Sequence, residues 1–238
     1  MSGLRIFETD PGSMPKPRFQ DDIVGRFRSG RLVGKRPQAL ATWRVTTGDP
    51  TVAGAVAQLM GGTAEEWETS GEDSTEVITD AERVKVVIDG PDAIRASMVL
   101  WGRQGPIHEC DGRFFLSLEE DKGKACGCPE LLADRKAAAR AERGPSPNIR
   151  VAFRLADDVE LGKFRFVSSS WELVKVLHEI EDALERVGGP ALCELGLEAV
   201  EFVTKTGQAV SYRKPVIKVI KAFNDAIADD PYADDAPF

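Results

Sequence analysis

From residue 149 onward the apolar residues of this chain fall on every second position, and a run of that period buries one face only as a β-strand. Ile149, Val151, Phe153 and Leu155 make the first run, and Phe164 and Phe166 continue it after Gly162. Together they predict a hairpin. The period then changes. Leu173, Leu177, Ile180, Leu184 and Val187 recur at spacings of four and three, an apolar seam on one side of a helix. Ser169 stands three residues before Glu172, a capping-box spacing, and Gly188-Gly189-Pro190 stops the helix. Leu195 to Thr204 and Ala209 to Val219 predict a second hairpin about Thr206-Gly207. The order strand, strand, helix, strand, strand defines an α+β fold with an antiparallel sheet and a few helices. The plain reading of the seam is packing on that sheet. The sharper one is docking against a partner's coiled coil.

The first half is less regular. Residues 14–36 carry Lys16, Arg18, Arg26, Arg28, Arg31, Lys35 and Arg36 against Asp21 and Asp22. Pro15 and Pro17 favour an extended path, so residues 1–36 read as a basic N-terminal arm with little regular structure. Ala39 to Thr47 reads as a strand, and Asp49-Pro50 caps a helix running to about Met60. Residues 60–82 hold eight acids and no base, which reads as a solvated acidic stretch. Strands follow near Val84 to Asp89, Met98 to Arg103 and, briefly, Arg113 to Leu116. Pro129 opens an alanine-rich basic helix that ends by Gly144, and Gly144-Pro145-Ser146-Pro147 reads as a turn or linker. The organisation is then an arm (1–36), a core domain (37–221) with a cysteine-bearing loop (107–128), and an acidic tail (222–238) expected to be disordered.

With 42% hydrophobic and 29% charged residues, 238 residues are enough to bury a core. The net charge of −8 excludes a general nucleic-acid coat, so contact with DNA needs a local basic patch. The start, Met-Ser-Gly-Leu-Arg-Ile-Phe-Glu, is unlike a secretory leader, and no apolar run approaches the ~20 residues of a membrane span. A cytoplasmic location is expected, in which four cysteines are thiols or metal ligands and not disulfides.

His108-x-Cys110, then fifteen residues, then Cys126-x-Cys128 is the sharpest chemical pattern. Two donors from each end of a loop supply the four ligands of a tetrahedral structural zinc. Such a site has no open position for water, so it argues against metal-dependent hydrolysis. The plain alternative is three reduced thiols and a surface histidine. Asp111 or Cys193 could replace His108 as the fourth ligand, although Cys193 also reads as a small buried hydrophobe. No Walker-type run, His-Glu-x-x-His or Gly-x-Ser-x-Gly is present, and the only other histidine is His178, inside the predicted amphipathic helix. These features predict a binding protein with no catalytic residues and no small-molecule substrate. Lys16, Arg18, Arg26 and Arg28 of the arm, with Arg135, Lys136 and Arg140 of the basic helix, are the candidate partner contacts. A solvated helix is the plain reading of the last three.

Several segments together resemble a known family. They are Gly3 through Phe19 (GLRIFETDPGSMPKPRF), Trp43 through Pro50 (WRVTTGDP), Cys110 with Ala125 through Pro129 (ACGCP), and Phe153 through Phe166 (FRLADDVELGKFRF). The chain is similar, from residue 3 to about 221, to the recombination directionality factors of actinobacterial, Streptomyces-type temperate phages that use a large serine integrase. The resemblance implies a non-catalytic protein of the bacterial host cytoplasm. It would bind the integrase near its coiled-coil and zinc domain, meet DNA indirectly through it, and switch it from attP x attB integration to attL x attR excision. A DNA-binding accessory protein of phage replication and, further off, a metal-dependent hydrolase are the competing readings.

Overall fold

The computed structural model describes residues 22–34, 36–69, 71–117, 119–204 and 207–228. Its strands are β1 (Ile23–Val33), β2 (Arg36–Thr47), β3 (Ala64–Glu66), β4 (Thr75–Ile78), β5 (Arg83–Ile88), β6 (Ile94–Gly102), β7 (Gly105–Cys110), β8 (Ser146–Leu155), β9 (Lys163–Ser168), β10 (Ala191–Val203) and β11 (Ala209–Ala222). The α-helices are α1 (Pro50–Met60), α2 (Leu132–Arg140), α3 (Trp171–Val187) and α4 (Phe223–Ala228). The fold is α+β, and mostly sheet. Among these residues no helix is long and apolar enough to cross a membrane.

The strands join in the order β11-β10-β5-β8-β9-β1-β2-β4-β3. Strand β8 is the branch point. One edge pairs with β9, from Ile149↔Ser168 to Phe153↔Phe164. The other edge pairs first with β6, from Val99↔Ser146 to Ile94↔Val151, and then at Arg154 and Leu155 with β5. Pairing is antiparallel except between β1 and β9.

The inward positions of β1, β2, β8 and β9 are aromatic. Phe27 meets Trp43, Phe153 and Phe164 edge-on at centroid distances of 5.6, 5.1 and 5.6 Å, and Trp43 meets Phe166 at 5.1 Å. Edge-to-face contact suits the ring quadrupoles and adds about 0.5–1.5 kcal/mol per pair beyond burial. Gly25 is buried, and glycine suits the position because a Cβ there would stand 2.9 Å from the Phe164 ring. Leu173, Ile180 and Leu184 of α3, and Val52, Ala53, Val56 and Met60 of α1, join the same core.

Both predicted hairpins form, as β8–β9 and as β10–β11, although residues 205–206 of the second turn lie outside the described residues. Asp49 caps α1 through its side chain, which accepts from Thr51 N at 2.8 Å. The cap of α3 is Ser170, one residue later than expected, accepting from Leu173 N at 3.3 Å. The seam of α3 packs on the core, as its plain reading holds.

Five expectations are corrected. The basic segment is not an arm throughout, for residues 23–33 form β1 between β2 and β9. Only Arg26, Arg28 and Arg31 of its 11 residues are basic, and Phe27 supplies the inward anchor. Residues 1–21, with Lys16 and Arg18, lie outside the described residues, as do 229–238 of the tail. The acidic stretch is not simply solvated. It folds into β3 and β4, and its Asp73 pairs with Arg26 and its Glu76 with Arg44. Arg44 also lies over the Trp67 ring at 4.4 Å. Gly144 to Pro147 is no linker, because Gly144, Pro145 and Pro147 are buried and Ser146 begins β8. Finally, Arg113 to Leu116 makes isolated bridges and not a strand, and the basic helix starts at Leu132 instead of Pro129.

Arg44 is 6% exposed, so removing its counter-charge strands a buried cation. Glu76→Gln is expected to cost about 3 kcal/mol in urea unfolding, whereas the double change Arg44→Met/Glu76→Leu should be close to neutral. Equal losses in both would show that the pair, and not the stranded charge, sets the effect.

Candidate metal centre

His108 and Cys110 stand two apart on β7 and so project from the same face of that strand. Pairing of Met98 with Cys110 and Leu100 with His108 holds β7 against β6. The chain then folds back on itself. Cys110 bridges to Phe115, Phe114 bridges to Ala125, and the Cys126 N–H donates to Arg113 O at 2.8 Å. This return carries Cys126 and Cys128 to β7. Gly127 between them has φ +69, a left-handed conformation that side chains rarely adopt.

The donor atoms of His108, Cys110, Cys126 and Cys128 all lie within 4.8 Å of one another. Cys110 Sγ is 3.8 Å from Cys128 Sγ, which is 3.4 Å from His108 Nε2. A tetrahedral zinc with sulfur at about 2.3 Å and nitrogen at about 2.0–2.1 Å sets its ligand atoms about 3.5–3.8 Å apart. The closer pairs already have that spacing. The four residues can therefore hold a metal ion, and three thiols with one imidazole are a donor set compatible with zinc.

The electrostatics agree. Burial, with Cys128 alongside, pushes the Cys110 thiol up to about 12. Burial likewise raises Cys128. At Cys126 burial also opposes ionisation, but hydrogen bonds from the Cys128 N–H and with the Cys128 and Cys110 thiols, and the nearby Arg135, outweigh it and hold this thiol below its ordinary range. Burial lowers His108, which keeps its ring neutral and its lone pair available at pH 7. A bound cation would supply the charge that releases the thiol protons.

Geometry sets the two alternative fourth ligands apart from the group. Asp111 Oδ1 accepts from the N–H groups of Arg113 and Phe114, each at 2.7 Å, and so closes the turn. Cys193 is fully buried in β10, within the main core. Neither joins the group.

The candidate partner contacts divide. Arg26 and Arg28 lie on β1 beside Asp73. Arg135 braces the cysteine loop, donating from Nε to Pro129 O at 2.5 Å and from an Nη to Gly112 O at 2.7 Å. Lys136 reaches Glu172 at 3.3 Å, and Arg140 is exposed. Arg44, Arg95, Arg150 and Arg165, which join Arg26 and Arg28 on one sheet face, were not among the sequence candidates. Their signal was the polar half of each period-2 run.

Fold and site together define an α+β protein built on one branched sheet, with a three-cysteine, one-histidine centre at the end of a β-hairpin. The family described as "Gp3-like: Recombination directionality factor-like" matches residues 24–220, and the chain belongs to that family. No solved structure matches the chain. Membership points to a role in recombination directionality with a recombinase as partner, in a family that is generally accessory and not catalytic.

Purified protein is expected to hold one zinc per chain by elemental analysis. Cys128→Ser should lose it and Cys193→Ala should keep it. On chelation, amide exchange should accelerate in residues 107–128 and stay slow in β8 and β9. Retention of full zinc by Cys128→Ser would remove this centre.

Proposed function

We propose that this protein is a phage recombination directionality factor that binds a large serine integrase and turns it from attP x attB integration to attL x attR excision, without catalysing a step itself. The family match across residues 24–220 carries this reading. Zinc at His108, Cys110, Cys126 and Cys128 has a structural role here, because four protein donors leave no position for a reacting water. The same donor count weighs against a metal-dependent hydrolase.

The partner surface includes the cysteine knot formed by residues 107–128. Ile107, Phe114, Leu116 and Leu131 are exposed within or beside it. Apolar side chains grouped in this way mark interaction sites more often than singly scattered ones do. Arg140 on α2 adds a charge able to steer an acidic partner. Lys16, Arg18, Arg26, Arg28, Arg135 and Lys136 complete the proposed contacts. The integrase's coiled-coil and zinc domain is the region proposed to receive them, and DNA then enters the assembly through the integrase.

The energetics are within reach of one interface. Turning a two-state balance from 1:99 to 99:1 takes about 5.5 kcal/mol of differential binding. An interface of about 1,600 Å² supplies such differences in other complexes. Linkage then requires the protein to bind integrase on hybrid sites more tightly than integrase on integration sites.

Recombination by the cognate integrase, scored on hybrid and on integration sites, tests the proposal. Added protein should switch on attL x attR recombination and suppress attP x attB. Integrase that ignores the protein on both substrates would refute it.

A further inference from the structure

The outward face of the central sheet is an arginine surface. Each inward aromatic on β1, β2, β8 and β9 alternates with an outward residue, and these are largely basic. Register places Arg95 beside Arg150, Arg26 beside Arg165, and Arg28 beside Arg44. Like charges on neighbouring strands disfavour pairing. A sheet that keeps three such neighbours on one face has the character of an anion site.

Two adjoining cavities mark the surface. The larger, about 1100 Å³, is lined by Arg26, Arg28, Arg31, Arg44 and Arg165. The smaller, about 410 Å³, is lined by Arg95, Arg150, Lys163 and again Arg165. Among the described residues, four carboxylates are seen to pair with or border these eight cations. Asp73 and Glu76 pair with Arg26 and Arg44, while Asp89, held by Arg154 at 2.5 Å, and Asp92 border the smaller cavity. Arg31, Arg95 and Lys163 are exposed, and no ion pair engages them among the described residues. The surplus is positive in a chain whose net charge is −8. Burial, followed by the charge of Arg44, lowers the Arg28 guanidinium below its ordinary range although Asp73 opposes this, so positive charge is crowded there.

We propose that this face binds the phosphate backbone of nucleic acid without regard to sequence. Five strands, β6 through β8, β9 and β1 to β2, span about 19 Å, with cations about 5 Å apart across strands and about 7 Å apart along them. A repeating row of that length fits a polymer that carries one charge per residue better than a single small anion. Seven of the eight cations are arginines, whose forked donors engage phosphate oxygens two at a time. Two aromatics line the cavities; Phe27 is buried in the core and Trp67 already has Arg44 over its ring, so the face offers no platform for stacking bases. Contact falls on the backbone, and a duplex suits it.

The inference needs no integrase and stands or falls apart from the directionality reading. The test is binding of the full chain alone to a short DNA duplex of arbitrary sequence. Affinity should drop steeply between about 50 and 200 mM salt and change little when the sequence is scrambled. The triple variant Arg31→Ser/Arg95→Ser/Lys163→Ser alters exposed side chains only, so its thermal unfolding should match the parent. It should bind about tenfold more weakly, with a salt slope shallower by about 0.9 for each lost contact. Arg140→Ser, on α2, should bind like the parent. No binding at about 50 mM salt, or equal binding by the triple variant, would overturn the proposal. Displacement of the duplex by polyglutamate at lower charge concentration than by unlabelled DNA would also overturn it, in favour of an acidic protein partner.

Discussion

Five aromatic rings set the architecture. Phe27, Trp43, Phe153, Phe164 and Phe166 come from two strand pairs, β1–β2 and β8–β9, that are distant in sequence, and they lock edge-to-face between them. Because strand side chains alternate with a period of two, a slip of one residue would turn every ring to solvent and every arginine inward. Register is therefore fixed with great force on this side of the molecule. Whatever the inward face fixes, the outward face inherits. The positions of Arg26, Arg28, Arg44 and Arg165 are a geometric consequence of the packing of their neighbours.

That inheritance has an electrostatic cost, and residues 60–82 answer part of it. Their acids look solvated when only composition is considered. In the fold, β4 runs along β2 from Arg44↔Ile78 to Thr47↔Thr75, which carries Asp73 and Glu76 to the arginines. Arg44, nearly buried, has a carboxylate on one side and the Trp67 ring on the other. Beyond β1, toward β9, β8 and β6, further arginines follow, with Arg165, Arg150 and Arg95 on the same face.

How much of this could be read from the sequence follows from range. The two hairpins, α1 with its Asp49 cap, and α3 with its seam are each specified within about twenty contiguous residues, and their periods show through. The metal centre was readable for the same reason, since all four donors fall between His108 and Cys128. Strand β1 was hidden because its pattern, Arg26-Phe27-Arg28, offers a single aromatic against a loud charge signal. Its partners lie in β2, close by, and in β9, about 140 residues away. The arginine face was hidden more completely. It exists only once five strands are in register, and no window of the sequence holds more than a fraction of it. The bonds of Arg135 were equally hidden, for its donors reach the carbonyls of Gly112 and Pro129 across a turn that composition does not reveal.

The knot and the sheet depend on different stabilisers, and this separation has a functional consequence. Among the described residues between Asp111 and Glu130 no side chain joins the main core, so order in that loop comes from the Arg135 brace, its own backbone bonds and, on our proposal, the four-donor centre. A loop ordered in this way can leave Phe114 and Leu116 exposed without weakening the fold, because none of them is needed inside. The sheet, in turn, can carry a crowd of arginines because its stability comes from the opposite face. Hairpin β6–β7 joins the two regions, with Arg95 on one strand and His108 and Cys110 on the other. An apolar surface suited to a protein and a cationic surface suited to a polyanion are thereby held on one framework. The two surfaces that we propose, one for the integrase and one for nucleic acid, would therefore keep a fixed relation to each other.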